Sequence, residues 1–410
     1  MRNIQKIQVS LQFSSEEIEV GELVQSDRKI YFKFYPFFLE LNLDISPIKL
    51  RKSLEVQASD VDHFEGLFGV FGDSLPDGWG RLLTDRRLIS QGIPLHSVNA
   101  LQRLAFIGKK GRGALNYKPM LFSESNLKTE IHLDELANAS LRILEGEPEK
   151  KLDVIRNMGG SSGGARPKIQ VLYDRKNNII KPDVYPSKKG FESWIIKFPN
   201  STDFKDAAQI EYAYYLMAQD AGIEIMDSKL FNTVHGNSYF GTQRFDRLEN
   251  KRLHLISAAG LMHDNYRLSN LDYGHLMDAA FRLEKDVRAY EKIFRMAVFN
   301  VITHNRDDHS KNFSYLMDEE GTWRCAPAYD LTFSHSSHGW HSTSVAGESQ
   351  FPTRIHLLKL ANSFQLRDAS EIIDQVESVA ADWKKYAKES GVKKESQNYI
   401  EKILGKSLKK

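Results

Sequence analysis

The polar run Arg306-Asp307-Asp308-His309-Ser310-Lys311-Asn312 places four residues between a carboxylate, Asp307, and an amide, Asn312. A carboxylate at that spacing can accept the proton of a substrate hydroxyl while the amide oxygen helps to hold Mg²⁺. After Asn312 come the apolar run FSYLM, an acidic turn with Gly321 and the segment WRCAPAYDL, which predicts a hairpin that returns Asp330 to the loop. An Asn and an Asp leave room in a Mg²⁺ shell for phosphate oxygens, so the chemistry indicated is phosphoryl transfer.

Upstream, Lys197 sits in Trp194-Ile195-Ile196-Lys197-Phe198-Pro199, a strand whose apolar neighbours carry the lysine stem through a buried surface. A buried ammonium needs a partner. Glu211, on the first turns of the helix that follows, stands where a kinase helix supplies the carboxylate that pairs with the phosphate-clamping lysine. Gly159-Gly160-Ser161-Ser162-Gly163-Gly164 offers closely spaced, unobstructed backbone N–H groups suited to phosphates, although it is neither a Walker A loop nor Gly-x-Gly-x-x-Gly. Each feature alone also reads as a helix cap, a turn, a surface lysine or a flexible linker; the ordered set carries the argument.

Two other chemistries compete for these residues. His304 and His309 flank the loop and His335, His338 and His341 are spaced three apart, but a Ser-rich loop with only Cys325 nearby is a poor frame for zinc. Asp307-Asp308-His309 also permits a two-metal phosphoesterase, a reading that leaves Lys197, Glu211 and the glycine loop without roles.

The elements that must position these groups follow from pattern. IQKIQVSLQF and KIYFKFYPFFLEL alternate around the turn-forming SDRK and predict a small antiparallel sheet. DSLPD reads as a helix start, with Trp79, Leu82, Leu83 and Leu88 on an apolar face and Arg81, Arg86 and Arg87 on a basic, solvated one. GKKGRGALNYKP reads as a glycine-rich turn into a strand, and the polar, helix-like stretch after it as a linker. IQVLYD and SWIIKFP read as strands, AAQIEYAYYLMAQDAGI as a helix and SKLFNTVHGNSYFGTQRFDR as two more strands. Beyond about residue 253 the pattern is mainly helical, with the apolar VRAYEKIFRMAVFNVIT running into the Asp307 loop.

The 410 residues are too many for one small core, and no repeat recurs. Lys plus Arg number 56 against 54 Asp plus Glu, so the near-neutral net charge of +2 carries no polyanion-binding signature. One cysteine excludes an internal disulfide framework, and the absence of a long apolar span or signal-like run predicts a cytoplasmic protein.

Seven segments in one order, DSLPDGWGRLL, GGSSGGARPK, IIKFP, QRFDR, RDDHSKN, PAYDL and TSVAGESQFPTR, make the chain resemble the HipA-like serine/threonine kinases, toxins of bacterial type II toxin–antitoxin modules. The resemblance covers essentially the whole chain. It implies an α+β, two-lobed protein-kinase-like fold with a sheet-rich N-terminal subdomain and a helical C-lobe. The expected boundaries are 1–120 for that subdomain, 121–150 for a helical linker, 151–250 for the N-lobe, 251–390 for the C-lobe and 391–410 for a basic tail.

By the same resemblance Asp307 is the general base, with Lys197 and Glu211 as its catalytic partners, and Asn312 and Asp330 are the Mg²⁺ ligands. ATP would be surrounded by Gly163, Gly164, Ala165, Arg166, Pro167, Lys168, Lys197, Gln243, Arg244, Phe245, His309, Ser310, Lys311, Asn312, Tyr329 and Asp330, with Gln243 to Phe245 as the adenine-reading hinge. Ser161 matches the autophosphorylated serine of relatives, and Ser162 is its rival because Ser-Ser stands here for the more usual Ser-Pro. Asn305 replaces the usual His before Arg-Asp, and Gln243 replaces a hinge Glu. Implied partners are a helix-turn-helix, HipB-like antitoxin, operator DNA reached only through that complex, and a protein substrate such as an aminoacyl-tRNA synthetase. A catalytically silent corepressor with the same fold is the alternative.

Overall fold

The computed structural model describes residues 4–27, 29–121, 131–159, 163–183, 189–336 and 339–407. Strands β1 (Lys6–Leu11), β2 (Ile18–Ser26), β3 (Lys29–Phe34), β4 (Gln57–Ser59) and β5 (Leu115–Lys118) form an antiparallel sheet in the order β4-β3-β2-β1-β5. Alternation works as expected in β3, where Ile30, Phe32 and Phe34 point into the core. The strand expected to continue past Phe34 stops there. Pro36 lacks an N–H for the ladder and its fixed φ suits a first helical turn, so it opens α1 (Pro36–Glu40). Helices α2 (Gly69–Gly72), α3 (Gly78–Ser90) and α4 (Ala100–Ile107) follow, the last held by a reciprocal capping box between Asn99 and Gln102.

The stretch expected as a linker contains α5 (Leu133–Glu145), and it is no spacer. Its Leu133, Leu136, Ala137, Ala139 and Ile143 are buried together with Trp79 and Leu83 of α3 and with Ile155 and Met158 of α6 (Leu152–Gly159). These three helices cover one face of a second antiparallel sheet. That sheet is built from β6 (Lys168–Asp174), β7 (Ile179–Pro182), β8 (Glu192–Lys197), β9 (Ser228–Asn232) and β10 (Ser238–Gln243) in the order β7-β6-β8-β10-β9. Ile169, Val171, Tyr173, Trp194 and Ile196 form its apolar face toward the helices. The long helix α7 (Ala207–Asp220) lies on the other side and buries Ile210, Tyr214 and Met217, as their spacing predicts.

A short ribbon of β11 (Arg247–Leu248) and β12 (Lys251–Arg252) leads into the helical lobe. The lobe is not wholly helical: β13 (His254–Ser257) pairs with β14 (Ser314–Met317), which forms the expected hairpin with β15 (Trp323–Cys325). On this sheet pack α8 (Ala258–Met262) and α9 (Tyr273–Glu284); the apolar α10 (Arg288–Ile302) lies against α9 and gathers α11 (Arg354–Ser363) and α12 (Ala369–Ala381), while α13 (Trp383–Glu389) packs on α7. The expected basic tail is instead α14 (Lys394–Ser407), an amphipathic helix whose Ile400 and Leu404 enter the main core. Its N-terminal end is tied down by Asp206, which accepts from Lys393 N at 2.7 Å and Ser396 Oγ at 2.8 Å. That core is continuous from the first sheet to the helical lobe. Cys325 is a buried free thiol. Among the described residues no helix is long and apolar enough to cross a membrane.

Candidate active site

Strand register places the first two cations. Lys168 and Lys197 are partners across β6 and β8, as are Ile169 and Ile196. Because side chains alternate, both lysines leave the sheet on the face opposite the apolar helical layer. The Lys197 ammonium donates to Glu211 Oε1 of α7 and to Asp330 Oδ1, and with Lys197 11% and Glu211 5% exposed the expected pair is a buried one. Burial works against the charge on Lys197, but Asp330 and Glu211 outweigh it and raise its pKa. Burial would likewise raise Asp330; the ammonium groups of Lys197 and Lys168 prevail and hold its carboxyl far below the usual range. Lys168 donates to Gly163 O at 2.7 Å, and burial lowers its pKa against the pull of Asp330.

The loop after α10 is anchored by the residues between its functional ones. Asn305, standing where a histidine was expected, is buried and donates through Nδ2 to Asn300 Oδ1 at 2.9 Å. Asp308 is turned inward, where Tyr273 OH at 2.8 Å, His341 Nδ1 at 2.9 Å and Ser342 N at 2.7 Å reach its carboxylate. Its neighbour Asp307 stays 58% exposed. Surrounding protein raises the Asp307 pKa chiefly by desolvation, with His309 opposing and Asp330 adding to the rise. His309 Nε2 lies 3.9 Å from Asp307 Oδ1. Asn312 Nδ2 donates to Asp307 O at 2.7 Å, which leaves the amide's Oδ1 end for a ligand.

The hairpin β14-β15 delivers Tyr329 and Asp330 as expected. Tyr329 OH donates to Lys311 O at 2.6 Å, and its ring packs on Phe245 at 5.3 Å. Asp330 adopts φ 55, a left-handed conformation uncommon outside glycine, next to the groups that would do chemistry. Arg166 pairs with Asp203 at 3.2 Å and approaches Glu211 at 3.8 Å. Lys197, Glu211, Asp307, Asn312, Asp330, Lys168, Arg166, His309, Tyr329 and the Gly163-Gly164-Ala165 segment therefore converge on one cleft, with Pro167 fixing the adjoining strand by accepting from Phe198 N at 2.8 Å.

Four residues expected around the nucleotide, Lys311, Ser310, Arg244 and Gln243, have partners within the protein. The Lys311 ammonium is held by Asp77 and lies 4.4 Å over the Tyr266 ring, and Ser310 Oγ donates to Asp264. The Arg244 guanidinium points into the protein, bonded to Asp246 at 2.9 Å, Gln170 at 2.6 Å and Asp183 at 3.1 Å. At the hinge the N–H groups of Gln243 and Arg244 are already engaged by Asp227 O and Ser193 O. Ser161, Ser162 and Gly160 lie outside the described residues; Gly159 closes α6 and packs so tightly that a Cβ there would stand 2.4 Å from Lys168 O.

Asp77 was missed by sequence reasoning, which read it only as part of a helix start. It does occupy the N-cap of α3, but its carboxylate makes no cap bond and instead accepts from Gly164 N and Lys311 Nζ. Burial would raise its pKa; Lys311 outweighs this and lowers it. Only distance in the chain hid the role.

Among the described residues no group of three His, Cys, Asp or Glu is arranged to hold a metal ion by itself. Asp330 and the Oδ1 end of Asn312 suit a Mg²⁺ whose shell is completed by phosphate oxygens. A two-metal phosphoesterase would need Asp308 in the cleft, and it faces away. His335 bonds His304 at 3.0 Å and Tyr399 at 2.9 Å, His341 bonds Asp308, and His338 lies outside the described residues.

Comparison with known proteins matches residues 160–383 to the HipA-like C-terminal domain family and residues 11–118 to the HipA N-terminal domain family. A kinase-named protein of Haemophilus influenzae is 25% identical over 190 residues, 43% of this chain and 53% of its own length. The kinase-named Y4mE of Sinorhizobium fredii is 24% identical over 285 residues, 64% of this chain and 63% of that one. The matches thus span about half to two thirds of these relatives' lengths. A HipA chain solved in the Shewanella oneidensis toxin–antitoxin complex with HipB and operator DNA superposes with a TM-score of 0.67 at 17% identity, covering 97% of this chain and 95% of that one. That likeness establishes the two-lobed fold.

Proposed function

Since the chain belongs to the HipA-like family, with both its N- and C-terminal domains matched, we propose that it is an ATP- and Mg²⁺-dependent serine/threonine protein kinase and the toxin of a type II toxin–antitoxin pair. The observation that carries this reading is the Lys197 ammonium shared between Glu211 and Asp330 beside Asp307 and Asn312. In this reading Glu211 holds Lys197 toward the phosphates, and Lys168 adds a second positive charge on the same face. Asp330 and Asn312 would hold Mg²⁺, which when bound would supply charge neutralisation on the phosphates. Asp307 accepts the proton of the substrate hydroxyl as its oxygen bonds to the γ-phosphorus, and the ADP oxygen leaves with the electron pair of the broken bond.

The protein substrate proposed is a translation component such as an aminoacyl-tRNA synthetase, and the loop serine proposed for autophosphorylation is Ser161, with Ser162 as rival. The proposed partner is a helix-turn-helix, HipB-like antitoxin, with operator DNA bound through the complex; the net charge of +2 gives the isolated chain little non-specific DNA affinity.

Purified protein incubated with Mg²⁺ and γ-labelled ATP, alone and with host extract, should transfer label to serine or threonine of itself and of an extract protein. Failure to bind ATP and to label either overturns the kinase reading. Mn²⁺-dependent phosphodiester hydrolysis in its place would establish the phosphoesterase. ATP binding without transfer, together with antitoxin-dependent operator binding, would establish the silent corepressor.

A further inference from the structure

Two segments that line the cleft are linked by a residue that belongs to neither kinase lobe. Asp77 lies in the segment matched to the N-terminal domain, and its two carboxylate oxygens go to two different segments. Oδ1 accepts from Gly164 N, at the turn that joins the glycine-rich segment to β6; Oδ2 accepts from Lys311 Nζ, next to Asn312. The following residues complete the grip. Trp79 N donates to Gly164 O at 2.9 Å, so the start of α3 engages both backbone polar groups of Gly164. Trp79 Nε1 donates to Lys168 O at 3.1 Å inside the protein.

The approach is so close that only glycine fits between them. Gly78 has φ 41, and a Cβ there would lie 2.5 Å from Gly164 O and 2.7 Å from Ala165 Cα. A carboxylate bonded to one N–H and one ammonium, 11% exposed beside a 9% exposed lysine, is shielded from the water that weakens surface pairs.

We propose that Asp77 is a positioning residue for phosphoryl transfer: it ties the phosphate-binding turn at Gly164 to the catalytic loop at Lys311, so that the N-terminal module sets the spacing between the nucleotide phosphates and the transfer machinery. This rests on the kinase reading above. The module is thus part of the catalytic unit, and a partner or change that shifts α3 would alter phosphate binding without touching Asp307, Lys197 or Asp330. Adenosine, which has no phosphates, is indifferent to the tie.

The test compares wild type with Asp77→Asn, which keeps an acceptor for Gly164 N and removes the charge that pairs with Lys311. Binding of Mg²⁺·ATP and of adenosine is measured by calorimetry, and kcat and KM by phosphate transfer. The expected result is an ATP affinity about tenfold weaker, the loss of one charge-assisted contact, with adenosine affinity unchanged, KM for ATP raised and Asp77→Glu partly restoring both. Equal ATP affinity in wild type and variant, or equal losses for ATP and adenosine, overturns the inference and leaves the kinase reading standing. A wild-type protein that binds no ATP overturns both. Should Asp77→Asn not fold, Asp77→Ser, which also removes the charge that pairs with Lys311, must show the same selective loss of ATP affinity; its absence there overturns the inference.

Discussion

Asp307 and Asp308 are consecutive and oppositely placed: the first is 58% exposed at the cleft, the second 1% exposed and bonded to Tyr273, His341 and the Ser342 N–H. The pair divides labour within one loop. Asp308 locks the loop to the segment around residues 341–343, and that lock holds Asp307 in the cleft.

Replacing the two gives contrasting outcomes. Asp308→Ala takes the carboxylate acceptor from Tyr273, His341 and the Ser342 N–H and should cost about 3–5 kcal/mol of stability, seen as a lower urea midpoint. Asp307→Asn should leave the unfolding free energy within about 0.5 kcal/mol of wild type and keep ATP binding, while transfer falls by about 10²- to 10⁴-fold.

The Lys197 cluster predicts a non-additive series. Lys197→Met leaves Glu211 and Asp330 without their shared counter-charge and should destabilise the fold by about 3–5 kcal/mol. Adding Glu211→Gln removes one of the two stranded charges and should recover part of that loss. Thermal unfolding of the singles and the double mutant checks it; strictly additive losses would contradict a shared buried cluster.

Stability should fall in mild acid. His254 is buried with Nε2–H donating to Ile45 O at 2.9 Å and Nδ1 buried without a partner, and desolvation lowers its pKa from 6.5 to about 4. The unfolded chain binds a proton at His254 more readily than the folded one, so stability present above the unfolded pKa of 6.5 is lost as pH falls toward about 4. The loss from this residue is about 3 kcal/mol, from ~1.4 kcal/mol per pKa unit. His263, also lowered to about 4, and His304, lowered to about 3, act in the same direction. Denaturation midpoints measured between about pH 4 and about pH 7 should show the decline, and His254→Gln should flatten it.

Helix α14 should behave as core. Ile400 is fully buried, so Ile400→Ala should cost about 2–5 kcal/mol in urea unfolding. A dispensable solvated tail would show no change.

The candidate constellation and the strands that carry it were legible in the sequence because they are local. Lys197 in an apolar strand, Glu211 in the next helix, and Asp307, Asn312 and Asp330 around one hairpin each announce themselves by residue type and spacing over a few dozen positions. Alternation and helical periodicity also gave β3, β6, β8, α7 and α10, since those patterns record which side of an element is dry. The linker and the tail misled for the opposite reason. The composition of α5 and α14 is polar on average, and only packing shows that Leu136, Ile143, Ile400 and Leu404 form buried stripes.

Tertiary structure alone decided the long-range pairings. Nothing in the chain near Asp77 points to Lys311, 234 residues away, and nothing near Asp308 or Arg244 says that these charges turn inward. A charged side chain reads alike whether it meets substrate, another residue or water; which one it meets is fixed by what the rest of the chain brings within hydrogen-bonding distance.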